Sequence, residues 1–263
     1  MRLFKYVRPE RVDILENQQI RFTPPEEFND VLDTRPLVIP ITSRAVLKRK
    51  LKAEEAEVLI HMPLDFQRLP RKERRRKERE FLKGSIKQIQ QEAGPIARKL
   101  QEDIYSGINK LFGILCLTTN PDHKAMWGNY ADGHKGFVIE FDTTKPRFAL
   151  SDDLHRVIYS DKPPTYDPAV GSQGWWKVKS RDWEYEQEYR IVLELKRCEQ
   201  QKLKEKTIYL GHLPRECIKA VFMGLKTEEA TKKRLREVCQ PGGIGLYEAA
   251  FVNSDKAHEF RKA

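Results

Sequence analysis

Eight short runs along the chain are rich in β-branched and aromatic residues and bounded by Gly, Pro, Asn or Asp, the pattern of β-strands. They are Gln18 to Thr23, Gly113 to Thr119, Gly136 to Asp142, Arg156 to Ser160, Tyr189 to Leu195, Thr207 to Gly211, Ile218 to Gly224 and Leu246 to Val252. A different period governs the segment between the first two. There Leu82, Ile86, Ile89, Ala93, Ile96, Leu100, Ile104, Ile108 and Leu111 recur every three or four residues, which predicts one apolar stripe along a helix. Gly94-Pro95 falls inside this pattern and predicts a kink or a split into two helices. A further helix is predicted from Glu228 to Val238, with Thr227 as its N-cap and acids in its first turn. Helices before and among many strands predict an α+β fold, with a mixed, mainly antiparallel sheet core and peripheral helices.

Charge changes this picture in one place. Seventeen Lys/Arg against eight Asp/Glu lie between Arg44 and Lys99, which is nearly the whole of the net charge of +10. The expected organisation is therefore one domain over 1–263 with a basic helical insertion at 44–110. Its densest part, Arg71 to Glu80, includes Arg74, Arg75, Arg76 and Arg79. Clustered cations of this kind displace counterions from phosphate-rich partners, so these four are candidate nucleic-acid contacts. The alternative is a solvated helix face, with Glu54, Glu55, Glu57, Glu73, Glu78 and Glu80 pairing locally. No aromatics interleave with the basic run to stack on single-stranded bases.

With 39% hydrophobic residues over 263 positions, the chain is able to bury a sizeable core. No run approaches the ~20 apolar residues that cross a bilayer, and the charged start Met1 to Glu10 lacks the apolar stretch of a secretory signal. Cys116, Cys198, Cys217 and Cys239 show neither a CxxC pair nor metal spacing, so a reduced, cytoplasmic chain without a zinc site is expected. Cys116, inside the apolar run Gly113 to Leu117, is expected to be a buried thiol.

Three blocks carry candidate chemistry. The first joins Lys5, Tyr6 and Arg8 to Pro24-Pro25-Glu26-Glu27-Phe28-Asn29-Asp30-Val31-Leu32-Asp33. Its prolines impose an extended or turning path, and Phe28 is placed to anchor the loop. Asn29, Asp30 and Asp33 are then either ligand contacts or an Asx-type turn satisfying its own backbone. The second block, Asn120 to Asp132, predicts a short helix with Asn120 as N-cap and Pro121 in its first turn. His123, Trp127 and Tyr130 then share a face, either as a stacking wall for a nucleobase or nicotinamide ring or as plain core. The third block runs from Trp183 to Leu193. Read as a strand, it places Glu184, Glu186, Glu188 and Arg190 on one face at roughly 6.5–7 Å intervals. An exposed strand face would tolerate this row at little cost. In a cleft, the carboxylates suit a cation-like transition state or general-base work, or hold a hard cation as a metal-dependent nuclease would.

Together these blocks resemble domain-of-unknown-function family 2971, which is widespread in bacteria. The resemblance rests on Lys5-Tyr6, Phe28-Asn29-Asp30 with Asp33, Gly113 to Leu117, Met126-Trp127 with Tyr130-Ala131-Asp132, His134-Lys135-Gly136-Phe137, and Trp183 through Arg190. Val31-Leu32 departs from it, the family more often showing Pro-Phe there. The family has a distant likeness to ADP-ribosyltransferase-type folds. That likeness implies a Glu role for Glu188 or Glu186, beside Arg190 on the same strand, an aromatic role for Tyr130 beside Trp127, and an N-terminal role for Arg8 or Lys5. The implied activity is an NAD-using transferase or glycohydrolase in a bacterial defence or toxin setting, with NAD as substrate. A nucleic-acid or nucleotide binding module and a metal-dependent nuclease stand beside it.

Overall fold

The structure is a computed structural model and describes residues 1–38, 69–145, 154–166, 174–204, 206–250 and 259–263. The first part of the basic segment, the Asp161 to Ser172 loop beyond position 166, and the last two positions of the run ending at Val252 lie outside the described residues. Contacts divide the chain into two compact units. One comprises Met1–Arg35, Gly107–Pro164 and Gly174–Ala263; the other comprises Pro36–Ser106 and Thr165–Gln173.

The strands, in chain order, are β1 (Arg2–Val7), β2 (Gln19–Phe22), β3 (Leu37–Val38), β4 (Phe112–Thr118), β5 (Phe137–Asp142), β6 (Leu154–Arg156), β7 (Ile158–Ser160) and β8 (Thr165–Tyr166). Then follow β9 (Val178–Ser180), β10 (Glu188–Glu194), β11 (Glu199–Leu203), β12 (Lys206–His212), β13 (Ile218–Met223), β14 (Gly245–Ala250) and β15 (Glu259–Lys262). Among the described residues of the first unit, eight of them form one sheet in the order β15-β14-β13-β5-β1-β4-β10-β6. Every neighbouring pair in it is antiparallel except β13 with β14. The α+β reading with a mainly antiparallel mixed sheet holds.

Strand alternation gives this sheet two buried faces. From β1, Leu3 and Val7 join Leu115, Leu117, Phe141, Ile191 and Leu193 on one side, under the helix Glu229–Cys239 through Leu235. Phe4 and Tyr6 face the other side and meet Met126 and Trp127 of the helix Lys124–Tyr130. Burial of a side chain such as Phe141 or Leu3 contributes roughly 1.5–3 kcal/mol. On β10, alternation sends Ile191 and Leu193 into the first core and leaves Glu188 and Arg190 on the opposite face.

One glycine sets how the helix Lys124–Tyr130 returns to the sheet. A Cβ on Gly136 would lie 2.0 Å from the Val7 carbonyl oxygen, so only glycine lets β5 start this close to β1. The Gly136 N–H donates to Ala131 O at 2.8 Å, and its own carbonyl accepts from the Thr227 hydroxyl at 2.9 Å. Thr227 therefore serves this turn, and Glu228, not Thr227, occupies the N-cap position of the helix Glu229–Cys239, without a side-chain capping bond.

Several expectations change. The run from Arg156 to Ser160 is not one strand: β6 and β7 belong to different sheets, with Val157 between them donating its N–H to Glu188 O at 3.0 Å. The second block's helix starts at Lys124 with His123 as N-cap, not Asn120. In the second unit, β3 and β8 pair in parallel, and the helix Arg71–Leu111, which belongs to that unit up to Ser106, passes through Pro95 without a break. Pro95 is exposed, so water can satisfy the carbonyl its missing N–H leaves free. Ile86, Ala93 and Ala97 are buried along this helix, whereas Ile96 and Leu111 are each 58% exposed, so the apolar stripe is narrower than predicted.

Candidate functional site

The third block is not a continuous strand. Ser180 accepts from the Asp182 N–H and opens a 3-10 helix over Arg181–Glu186, which Gln187 ends in the left-handed region at φ 45°. Only from Glu188 does the strand begin. Glu184 consequently leaves the row and is exposed, while Glu186 and Glu188 both turn inward. Two contacts hold the connection: the Thr118 hydroxyl donates to Glu186 O, and the Thr119 hydroxyl donates to Gln187 Oε1 at 2.8 Å.

These two glutamates join Asp33, Lys179 and Arg190 in a cluster of five charged side chains, all 7% exposed or less. Arg190 spends every N–H it has. It donates to Asp33 at 2.9 and 2.6 Å, to Glu188 at 2.7 and 3.1 Å, and to Trp176 O at 2.7 Å, with its guanidinium above the Phe28 ring. Lys179 bridges the glutamates, donating to Glu186 Oε2 at 2.6 Å and Glu188 Oε2 at 2.9 Å, with Asp33 Oδ2 3.6 Å away. The Tyr130 hydroxyl donates to the other Glu186 oxygen at 2.6 Å and accepts from Asn29 at 3.4 Å. Three carboxylates against two cations leave the cluster with one excess negative charge.

Ion pairing on this scale repays desolvation only when the buried charges find opposite partners at hydrogen-bond distance, as all five do here. Burial by itself would raise the Glu188 carboxyl, but the Arg190 and Lys179 charges outweigh it and hold the group at about 2. Burial works against the charge of Lys179, yet Glu188, Glu186 and Asp33 keep it well above the usual lysine range. Burial also pushes the Tyr130 hydroxyl up, and the Glu186 carboxylate adds to the shift. Tyr159, which accepts the Glu188 N–H at 2.8 Å, is pushed to about 12, chiefly by burial.

A cavity of about 530 Å³ opens onto this cluster within the first unit. Glu186, Glu188, Asp33 and Lys179 line it, with Lys5, Tyr6, Arg8, Asn29, Cys116 and Tyr130. The half-buried Lys5 ammonium bonds the Cys116 carbonyl at 3.0 Å, and Arg8 is exposed. Tyr6 lines the wall mainly as a strut: its hydroxyl accepts from His123 N at 3.0 Å and donates to Asn120 O at 3.1 Å. Cys116 is half-buried and faces the cavity, not sealed in the core as expected. Burial and the neighbouring Glu188 raise its thiol far above the ordinary range, so it is no ready nucleophile.

The remaining candidates fall elsewhere. Trp127 is fully buried against Tyr6 and His134 and is core, not a ring wall. Asp30 accepts from the Leu32 N–H at 2.9 Å, the Asx-type turn. Arg190 sits behind the glutamates and not on the cavity surface. Arg75, Arg76 and Arg79 are exposed and Arg74 half-buried on the part of the helix Arg71–Leu111 that lies in the other unit. The sequence pattern singles out neither Asp33, which reads only as a polar group of the first block, nor Lys179, which precedes Glu186 by seven residues and Glu188 by nine.

Among the described residues, no three His, Cys, Asp or Glu side chains are placed to hold a metal ion together, and no helix is long and apolar enough to cross a membrane. Compared with known proteins, the chain matches no family model, no curated protein and no solved structure.

Proposed function

We propose that the first unit is an NAD-using enzyme of the ADP-ribosyltransferase or glycohydrolase type, acting at the bond between nicotinamide and ribose. The observation that carries this reading is the convergence of Glu186, Glu188 and Tyr130 on the same cavity as Lys5 and Arg8. Breaking that bond develops positive charge on the sugar, and an ionised carboxylate already fixed beside it stabilises the charge without reorganising. Glu188, held at about 2, is ionised at neutral pH. The excess negative charge of the cluster has the right sign for such a step. Lys5 and Arg8 supply cations for the diphosphate, and the Tyr130 ring offers an apolar face beside Glu186. Glu186, already hydrogen-bonded to the Tyr130 hydroxyl, is the carboxylate placed to take an acceptor's proton.

The test is to incubate purified protein with NAD and follow nicotinamide release. The reading requires release by the wild type and its loss in Glu188→Gln. A Glu188→Gln protein as active as the wild type removes the assignment.

A second reading concerns the other unit. The exposed Arg75, Arg76 and Arg79 on one helix favour electrostatic contact with nucleic acid. Its signature is affinity that falls steeply with salt.

A further inference from the structure

Lys179 is the one group of the cluster that touches both glutamates and the cavity. Its single nitrogen bonds Glu186 and Glu188 at 2.6 and 2.9 Å, so the two carboxylates are held within one ammonium's width of each other. Two carboxylates that close, buried and unbridged, do not both stay ionised: repulsion forces one to keep a proton. Arg190 relieves only the Glu188 side of this pair, because it bonds Glu188 and Asp33 but not Glu186.

We infer that Lys179 is the positioning residue of this site, the group that keeps Glu186 and Glu188 side by side as two charged carboxylates facing the cavity. Its surroundings come from three elements. Asp33 approaches from the loop after Pro25–Glu27, Glu186 from the 3-10 helix, Glu188 and Arg190 from β10, and the Trp183 ring lies 5.1 Å from the ammonium. Among these groups only Lys179 supplies positive charge to Glu186, whose other oxygen meets the Tyr130 hydroxyl. Without Lys179, the proton that the pair must take settles on Glu186. The carboxylate assigned to accept a proton then already carries one. A lysine suits this place better than an arginine because a compact ammonium sends separate N–H bonds to two acceptors from one point. The functional meaning rests on the NAD reading above; the electrostatic statement does not.

The experiment follows the side-chain carboxyl carbons of ¹³C-labelled glutamate by NMR across a pH titration, in the wild type, Lys179→Met and Lys179→Gln. Both variants drop the charge, and Lys179→Gln keeps two N–H donors, so it carries the measurement where Lys179→Met does not fold. In the folded variants the pair titrates in two steps, the upper midpoint about 2–3 pH units above the highest one assigned to the same pair in the wild type. An unchanged titration in a folded variant overturns the inference. Nicotinamide release, measured in parallel, separates the two ideas. With activity present, kcat falls about 100-fold, KM changes little, and the acid limb of the profile moves by the same number of pH units. A shifted titration without any wild-type NAD turnover upholds Lys179 and removes the NAD reading. Turnover that Lys179→Gln leaves untouched, in rate and in pH profile, overturns the role given to Lys179.

Discussion

Arg190 and Asp33 stand 157 positions apart in the chain and meet through two parallel hydrogen bonds, at 2.9 and 2.6 Å. Such a fork-to-fork pair has strict geometry, so it ties the loop after the Pro24-Pro25 turn to β10. The same contact makes Asp33 a wall of the cavity and turns a sequence-distant loop into part of the site.

Asp33→Ala leaves one edge of a buried guanidinium unpaired. The expected loss is about 3–5 kcal/mol of stability, read from urea denaturation, with Asp33→Asn costing less. A loss under about 1 kcal/mol means that water replaces the carboxylate and that the loop is not held by this pair.

Acid should weaken the fold in a defined window. An unfolded glutamate titrates near 4.5, whereas Glu188 in the fold is held at about 2. A depressed carboxyl gives stability that is full above the unfolded value and lost as pH falls through the folded one. The shift corresponds to about 3 kcal/mol. Denaturation midpoints measured from pH 6 down to pH 2 should therefore fall mostly below pH 4.5, and Glu188→Gln should flatten that decline.

Tyr130→Phe removes the hydroxyl that donates to Glu186 and accepts from Asn29. A hydrogen bond to a charged acceptor contributes about 1.5–3 kcal/mol, so stability drops by that order. Under the NAD reading, nicotinamide release slows about tenfold or more while the fold, checked by near-ultraviolet circular dichroism, is kept.

Gly136→Ala forces a methyl group onto the Val7 carbonyl oxygen. Backbone cannot give way as a flexible side chain does, so β5 must move away from β1. The cost should exceed about 2 kcal/mol, whereas at an exposed helical glycine such as Gly84, where nothing lies within 4 Å, the same change should stabilise by up to about 1 kcal/mol.

For the basic helix, Arg75→Gln, Arg76→Gln and Arg79→Gln together should reduce the slope of log affinity against log salt by up to about 3 if each contacts a phosphate. An unchanged slope for an RNA or DNA oligonucleotide assigns the run to a solvated face.

The strand runs were legible because their residues alternate into two cores: Ile191 and Leu193 could only point one way once β10 was recognised. Phe22, Ile139 and Val221 behaved likewise. Illegible was the place where local bonding overrides alternation. Ser180 caps a 3-10 turn, and Gln187 takes a left-handed conformation, so Glu184 turns away while Glu186 stays inside. The Ser180-Arg181-Asp182 cap was the available signal. Trp127 has the spacing of a ligand wall and the burial of a core residue, and only packing separates the two. Pro95 reads as a helix break, yet an exposed position tolerates it. Lys179 was hidden because it reaches the acids from β9, a three-residue strand too short to show a period.

Because the Arg190 guanidinium has no proton left to offer, it gives no hydrogen bond to whatever enters the cavity. Selection among incoming molecules then falls to the Lys5 ammonium, the Arg8 side chain and the oxygen-rich floor. A compound presenting only a carboxylate to that floor meets like charge and no vacant donor from Arg190. One that carries its negative charge at the far end and an electron-poor ring at the near end is met with opposite sign at both.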